Sequence, residues 1–337
     1  MRYRAFGKIG FQVSSLGFGA MNLPGVPLEQ ARDALNYALD NGINYIDTAA
    51  AYRNSEEIIG ESISHRRDEF FLATKTNKRD YASAKEDIER SLTRLKTDVI
   101  DLLQIHYVNY VHEFKAAMEE DGAYRAAVEA KEAGKVRHIG ITGHRPELIA
   151  KWIQKDQFEQ VLFHLNLAQP FALNELIPEM VRRDMARVAM KPLSGGFIRP
   201  VDKAIRYPYS QDVHVIISGM VSVDEVKQNI AAMEREVEEA ERLELEQMAQ
   251  QLSTHNCRRC NYCSCPIGIP IPDVMISSVV RQQMGLLAKG DGFYEKHREK
   301  ILACADYEPC KETPLCQKQC PYQLPMQSVI QRTAASF

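Results

Sequence analysis

Asp47, Tyr52, Lys75 and His106 are side chains that the apolar runs around them do not need for packing, and each stands at or just past the end of a β-rich segment. Asp47 and Tyr52 bracket Asp47-Thr-Ala-Ala-Ala-Tyr52, Lys75 ends Leu72-Ala-Thr-Lys75, and His106 ends Leu103-Gln-Ile-His106. Their types suit one task, protonating a carbonyl oxygen as a hydride reaches the carbon. A phenol with a pKa of about 10 is a poor acid near neutrality unless a nearby cation stabilises its phenolate. Lys75 supplies that cation in this reading, Asp47 holds and orients the ammonium, and His106 donates to the substrate oxygen and aligns it. Taken singly, a strand-end Asp is a helix cap, a Tyr an amphipathic wall, a Lys a snorkelling surface residue and a strand His a core histidine. Four of them on three consecutive strand ends point to catalysis, with Tyr52 as the proton donor.

A different chemistry sits downstream. All eight cysteines fall between Cys257 and Cys320. Clustered thiols outside a small secreted protein more often bind metal than form a disulfide framework. Cys257-x2-Cys260-x2-Cys263, then Cys265-Pro266, and later Cys310-x5-Cys316-x3-Cys320-Pro321, is a ferredoxin-like pattern. Thiolates separated by two residues wrap three corners of a cubane cluster, and a distant Cys-Pro supplies the fourth. Zinc is the alternative, because Cys-x2-Cys pairs also suit a tetrahedral ion; the third cysteine at the same spacing and the Cys-Pro endings favour iron-sulfur.

Composition narrows the partners. Forty-two Lys and Arg against forty-five Asp and Glu leave a net charge of -3, with no block of like charge to suit a nucleic acid. No stretch approaches the roughly eighteen apolar residues of a membrane span, and the start of the chain is interrupted by polar residues before any apolar run. The expectation is a soluble, cytoplasmic protein with no nucleic-acid or membrane partner.

The elements that must position these groups alternate strand and helix. Strand candidates are 15–20, 45–49, 70–75, 99–106, 136–143, 160–167, 187–193 and 213–219; helical stretches with apolar residues three and four apart are 29–40, 55–63, 85–95, 114–133, 147–153 and 173–183. Eight such repeats predict a closed (β/α)8 TIM barrel, for which about 250 residues suffice. Residues 197–212, with two prolines, read as a loop-like crossover holding at most a short helix over 201–205. Helices over 223–233 and 236–252 follow, and residues 2–13 form a hairpin that closes the bottom of the barrel. The shift to Cys, Pro and Ile sets a boundary between a barrel domain, 1–252, and a small, mainly helical ferredoxin-like domain, 253–337.

Residues 5 to about 233 resemble the aldo-keto reductases. The likeness rests on Asn44-Tyr-Ile-Asp47-Thr-Ala with Tyr52, on Thr74-Lys75, on Gln104-Ile-His106 and on Gly140-Ile-Thr142. It implies carbonyl-alcohol interconversion with NADP or NAD, with Tyr52 as acid-base, Lys75 and Asp47 as its tuning pair and His106 orienting the substrate. Thr142-Gly143-His144 stands where the family holds the nicotinamide amide with Ser-Asn. Asn166 matches a family position near the cofactor, the usual Gln four residues earlier being Leu162, and Met190 replaces the usual stacking aromatic. Lys191 with Ser194, Gly195 and Gly196 suits a pyrophosphate. The run 218–229 resembles the adenosine segment, bringing Gly219, Met220, Gln228 and Asn229; Asp224 and Glu225 there would repel the 2'-phosphate of NADP, which keeps NAD open.

The tail resembles that of family members carrying a two-part 4Fe-4S ferredoxin domain. That implies Cys257, Cys260, Cys263 and Cys320 for one cluster; Thr313 stands at an expected cysteine of the second, for which Cys265, Cys304, Cys310 and Cys316 remain. Such a tail passes single electrons to a redox partner protein or stabilises the fold. The alternative function is a nicotinamide-binding redox sensor that associates with another protein. Met21, Asn22, Arg53, Tyr107, Asn109 and Arg145 are the expected mouth of the site, and the arginines suggest an anionic or polyhydroxylated small-molecule carbonyl.

Overall fold

The structure is a computed structural model that describes residues 1–154, 157–196, 198, 200–253, 257, 262–282, 287–320 and 322–337. Strands β1 (Tyr3–Ala5) and β2 (Gln12–Ser14) pair antiparallel as the expected hairpin. Eight parallel strands follow: β3 (Leu16–Gly19), β4 (Tyr45–Asp47), β5 (Phe71–Thr76), β6 (Ile100–Ile105), β7 (Val136–Gly143), β8 (Gln160–His164), β9 (Ala186–Met190) and β10 (Val215–Gly219). They pair in chain order and close where β10 meets β3, which gives the (β/α)8 barrel. Short strands of Val, Ile, Leu and Phe suit a barrel wall buried on both faces.

The helices are α1 (Leu28–Asp40), α2 (Ser55–Ile63), α3 (Tyr81–Leu95), α4 (Val111–Met118), α5 (Ala123–Glu132), α6 (Pro146–Trp152), α7 (Leu176–Arg182), α8 (Val201–Tyr209) and α9 (Val223–Ala231). Two differ from the sequence expectation in kind. The long helix expected over 114–133 is broken between Met118 and Ala123: Glu119 is extended (ψ 164°), and Gly122 packs so close that a Cβ there would lie 2.5 Å from the Ala117 carbonyl. The crossover expected as loop-like instead carries a nine-residue helix, α8; its Pro208 stands one residue from the end and costs the ladder one N–H without breaking the helix. Smaller boundary shifts have local causes; α3 begins at Tyr81 because the Asp80 carboxylate accepts from Ser83 N at 2.9 Å.

The hairpin plugs the amino-terminal end of the barrel. Phe6 is fully buried and meets Tyr45, Phe71 and His214 edge-on at 5.6, 5.4 and 5.9 Å between ring centroids. With Val13, Leu102, Leu162, Val188 and Val215 these rings form the barrel's inner core.

The chain divides into two compact units. One is Met1–Asn166, Pro170–Leu193 and Pro200–Arg242; the other is Leu167–Gln169, Ser194–Arg199 and Leu243–Phe337. The second unit carries α10 (Glu239–Ser253) over most of its length, then α11 (Ile271–Gln282), α12 (Leu287–Asp306), α13 (Leu315–Lys318) and α14 (Met326–Ala334). Its core is Ile269, Ile271, Val274, Met275, Ile301, Leu324, Met326, Val329 and Ile330, shared with buried Cys257, Cys304, Cys310, Cys316 and Cys320. Among the described residues no helix is long and apolar enough to cross a membrane.

Phe6→Ala should open a cavity under the barrel. We expect a loss of about 3–5 kcal/mol of stability, read as a lower urea midpoint for the unfolding transition of the barrel.

Candidate active site

Register decides which side chains share the barrel interior. Gly19 pairs with Asp47, Asp47 with Ala73, Lys75 with Gln104, and Gln104 with Gly140. Paired residues on neighbouring strands face the same side, so Asp47, Lys75 and Gln104 all project inward near the carboxyl ends of their strands. Lys75 is 1% exposed, and its Nζ donates to Asp47 Oδ1 at 2.5 Å and to the Thr48 carbonyl. The other Asp47 oxygen accepts from Gln104 Nε2 at 3.1 Å. Tyr52, in the loop after β4, lies over the ammonium with 5.0 Å from Nζ to the ring centroid, and His106 meets the Tyr52 ring edge-on at 5.6 Å. The four residues singled out in the sequence therefore converge on one point.

Burial works against the Lys75 charge, but Asp47 and Tyr52 outweigh it and hold the ammonium above its ordinary pKa. The Tyr52 phenol departs from the expectation of a lowered value. Burial pushes it up, and Asp47 adds to that, against the lowering by Lys75; the net shift is upward. Tyr52 is thus a protonated phenol at neutral pH, with a fixed cation ready for the phenolate. Burial, together with Lys75, His144, Arg79 and Lys191, lowers His106 to about 2, so the ring is neutral. Its Nδ1 is buried with no hydrogen-bond partner among the described residues.

Four residues in the loops after the barrel strands hold left-handed backbone without being glycine: Arg53 (φ 49°), Tyr107 (φ 56°), Lys191 (φ 56°) and Ser194 (φ 49°). Side chains tie two of them down. Thr142 Oγ1 accepts from Tyr107 N at 2.9 Å while Arg79 donates to the His106 and Tyr107 carbonyls, and Asn166 Nδ2 donates to the Lys191 carbonyl at 2.9 Å. Strained backbone of this kind persists where the surroundings over-determine it, and it gathers at functional sites.

Other expected site residues separate into roles. Thr142 and Asn166 are buried and engaged as above. A Cβ at position 143 would lie 2.3 Å from the Val108 carbonyl, so the Asn of a Ser-Asn pair cannot stand there. Met190 lies inward on β9, Met220 is fully buried, and Asn229 donates to Ser218 Oγ at 2.9 Å. Gly219 and Gln228 are exposed. Ser222 caps α9, Glu225 turns its carboxylate back onto Val221 N at 2.7 Å, and Asp224 points into solvent. Ser194, Gly195 and Gly196 belong to the second unit and take φ of 49°, 75° and 86°. Of the expected mouth, Arg145 is buried, bonded to Glu147 at 3.1 Å and to the Asn109 carbonyl. That is a structural role, and it removes one of the two arginines offered as anion binders. Arg53, Met21, Asn22 and Tyr107 are exposed.

Three side chains were missed. Gln104 and the stacked pair His144–His164, 3.9 Å between ring centroids, with Tyr107 edge-on to His144 at 4.7 Å, stand around the same point. Gln104 was legible as a polar residue at an inward position two before His106; the histidine stack joins loop and strand and left no spacing signal.

Cys257, Cys304, Cys310, Cys316 and Cys320 are buried, Cys263 and Cys265 half-buried, and Cys260 lies outside the described residues. Burial first, then Cys265, Cys263 and Cys310, push the Cys316 thiol up to about 12. Among the described residues no group of three or more His, Cys, Asp or Glu that could hold a metal ion is present.

Comparison with known proteins gives one family. The sequence model described as Aldo/keto reductase family matches residues 15–203. "Uncharacterized oxidoreductase YqkF" of Bacillus subtilis is 32% identical over 220 residues, covering 60% of this chain and 69% of that protein. "Aldo-keto reductase YhdN" of the same organism is 32% identical over 194 residues, 52% of this chain and 55% of that one; the chain thus spans little more than half the length of that relative. Among solved structures, the aldo-keto reductase AKR11C1 from Bacillus halodurans in its holo form is 27% identical, with a TM-score of 0.65 over 75% of this chain and 96% of that one.

A neutral His106 has a direct signature. Its ring resonances should not titrate between about pH 5 and 8 in an NMR pH series, where an unperturbed histidine would. Because the folded pKa lies below the unfolded one, the residue's contribution to stability is complete above the unfolded value and is lost as pH falls below it.

Proposed function

The chain belongs to the aldo/keto reductase family of oxidoreductases, and from that premise we propose that it reduces a small-molecule carbonyl to an alcohol, reversibly, with NADP or NAD. The observation that carries this reading is the convergence of Tyr52, Lys75, Asp47 and His106 on one point at the carboxyl ends of the barrel strands.

A bound nicotinamide supplies the hydride that reaches the carbonyl carbon. Tyr52 gives the carbonyl oxygen its phenolic proton as the C–O double bond becomes a single bond. Lys75 stabilises the phenolate left behind, and Asp47 keeps Lys75 charged and in place. Neutral His106 donates one ring hydrogen to the substrate oxygen and orients the carbonyl toward Tyr52. Oxidation of the alcohol runs the same proton path backwards.

The support for a flat nicotinamide ring beside Asp47 is the in-register pair Gly19 and Gly219, which puts no side chain at those two strand ends. Thr142, Asn166, Met190 and Lys191 are the proposed nicotinamide and phosphate contacts, with Met220, Gln228 and Asn229 on the adenosine side. Glu225 turns its carboxylate onto Val221 N and Asp224 points into solvent, so two carboxylates still stand on the adenosine side and the proposal covers NAD as well as NADP.

For the tail, the proposal is a 4Fe-4S site on the Cys-x2-Cys-x2-Cys spacing, with Cys257, Cys260, Cys263 and Cys320 as one set and Cys265, Cys304, Cys310 and Cys316 as the other. Its support is the spacing and the gathering of the seven described cysteines about one apolar core. It serves electron exchange with a redox partner or holds the small unit together.

Two measurements test these readings. Tyr52→Phe should lower carbonyl reduction about 10²–10⁴-fold in stopped-flow assays with aldehydes, ketones and sugars, using NADH and NADPH in turn; a variant as fast as wild type would falsify the acid assignment. Anaerobic purification should yield brown protein with iron and acid-labile sulfide, and colourless protein with stoichiometric zinc would replace cluster by zinc.

A further inference from the structure

Behind the Asp47–Lys75 pair lies a second polar layer. Gln104 on β6 and Gln160 on β8 are both 0% exposed, and they stand in register on either side of Gly140 on β7. Gln104 faces inward, since it reaches Asp47, and the pairing puts Gln160 on the same face. Both side chains lean over the glycine: a Cβ at position 140 would lie 2.2 Å from Gln160 Oε1 and 3.3 Å from Gln104 Cγ. Three of the four amide atoms, Gln104 Oε1 and both of Gln160, have no hydrogen-bond partner among the described residues. Buried amides with complementary donors and acceptors, brought together over the one residue that leaves them room, satisfy each other at small cost in side-chain rotation.

We propose that Gln160 donates to the Gln104 carbonyl across Gly140, forming a buried relay, Gln160–Gln104–Asp47, that positions Asp47 and through it Lys75 beneath Tyr52. This rests on the reading of Tyr52 as the acid and deepens it. Gln104 and Gln160 are positioning residues: neither touches the reacting atoms. Holding Gln104 from behind fixes the direction of its Nε2–H bond to Asp47, and that bond leaves the carboxylate one way to face Lys75. Gly140 is then required by the relay as well as by the barrel wall.

The charged and titratable groups facing the relay's target are few. Asp47 faces Lys75, Tyr52 and the buried Tyr45 phenol, and Tyr52 faces Lys75, Asp47 and His106. Gln104 drains negative charge from Asp47, so without it the fuller Asp47 charge opposes the Tyr52 phenolate. The basic limb of the reduction profile then moves to higher pH and kcat falls.

The test uses the full chain and variants of matched volume. Gln104→Met should lower kcat about tenfold, as expected for a lost hydrogen bond to a charged group, with KM for nicotinamide and carbonyl nearly unchanged and the basic limb displaced upward. Gln160→Met should move kcat and the limb in the same direction by less, and the double variant should be no slower than Gln104→Met alone. Independently of turnover, side-chain amide NMR with ¹⁵N-glutamine should show the Gln104 signal shifting in Gln160→Met. An unmoved Gln104 signal, multiplicative losses in the double variant, or an unchanged pH limb in Gln104→Met would overturn the relay. Full activity in Tyr52→Phe would overturn the acid assignment instead, and the NMR arm still decides the relay in that case. Should Gln104→Met not fold, Gln160→Met carries both readouts.

Discussion

An ammonium group inside a barrel is the constraint from which the rest of the site follows. Lys75 is almost completely buried, and its charge survives only because Asp47 Oδ1 lies 2.5 Å away and the Thr48 carbonyl takes a second hydrogen. Removing one partner of such a pair typically costs about 3–5 kcal/mol, because the remaining charge has nowhere to be solvated. An apolar pair would cost less to bury, so the pair's value lies in what its cation does for the phenol above it. Burial by itself would keep Tyr52 from ever becoming a phenolate; Lys75 narrows that gap without closing it. A protonated donor with a stabilised conjugate base is the balance that carbonyl reduction needs.

The loops that complete the site are held under strain by the same economy of fixed partners. Tyr107 follows His106 in a left-handed conformation, and Thr142 and Arg79 clamp its backbone from neighbouring segments. Lys191 follows β9 likewise and is clamped by Asn166. Two of the three clamps, Thr142 and Asn166, come from residues whose side chains would otherwise be read as ligand contacts. Thr142 and Asn166 therefore have a structural duty that precedes any contact with cofactor, and Gly143 is dictated by the Val108 carbonyl rather than by chemistry.

Where sequence and structure part company, the cause is a neighbour distant along the chain or a local turn that periodicity does not register. The helix break before Ala123 comes from Gly122 packing on the Ala116 and Ala117 carbonyls, which a count of apolar residues at three and four cannot register. The helix at Val201–Tyr209 was obscured by Pro208, which stands one residue from its end and so removes a single N–H from the ladder without dividing the helix. Arg145 looked like an anion binder because its type allows it; Glu147 and the Asn109 carbonyl had already claimed it.

The sequence alone determined the eightfold alternation, the closed barrel, and the identity of the four groups at the strand ends, because short apolar runs, helical spacing at three and four, and polar residues at the ends of apolar runs are local signals. It also set the clustering of every cysteine after residue 256. Tertiary structure alone decided that Lys75 and Asp47 meet at bonding distance, that Tyr52 is raised rather than lowered, that His106 is neutral, and that Gln104 and Gln160 face each other over Gly140. Those properties depend on distances between strands and on how much water is excluded there. Both are set by barrel closure and register, which no run of neighbouring residues encodes by itself.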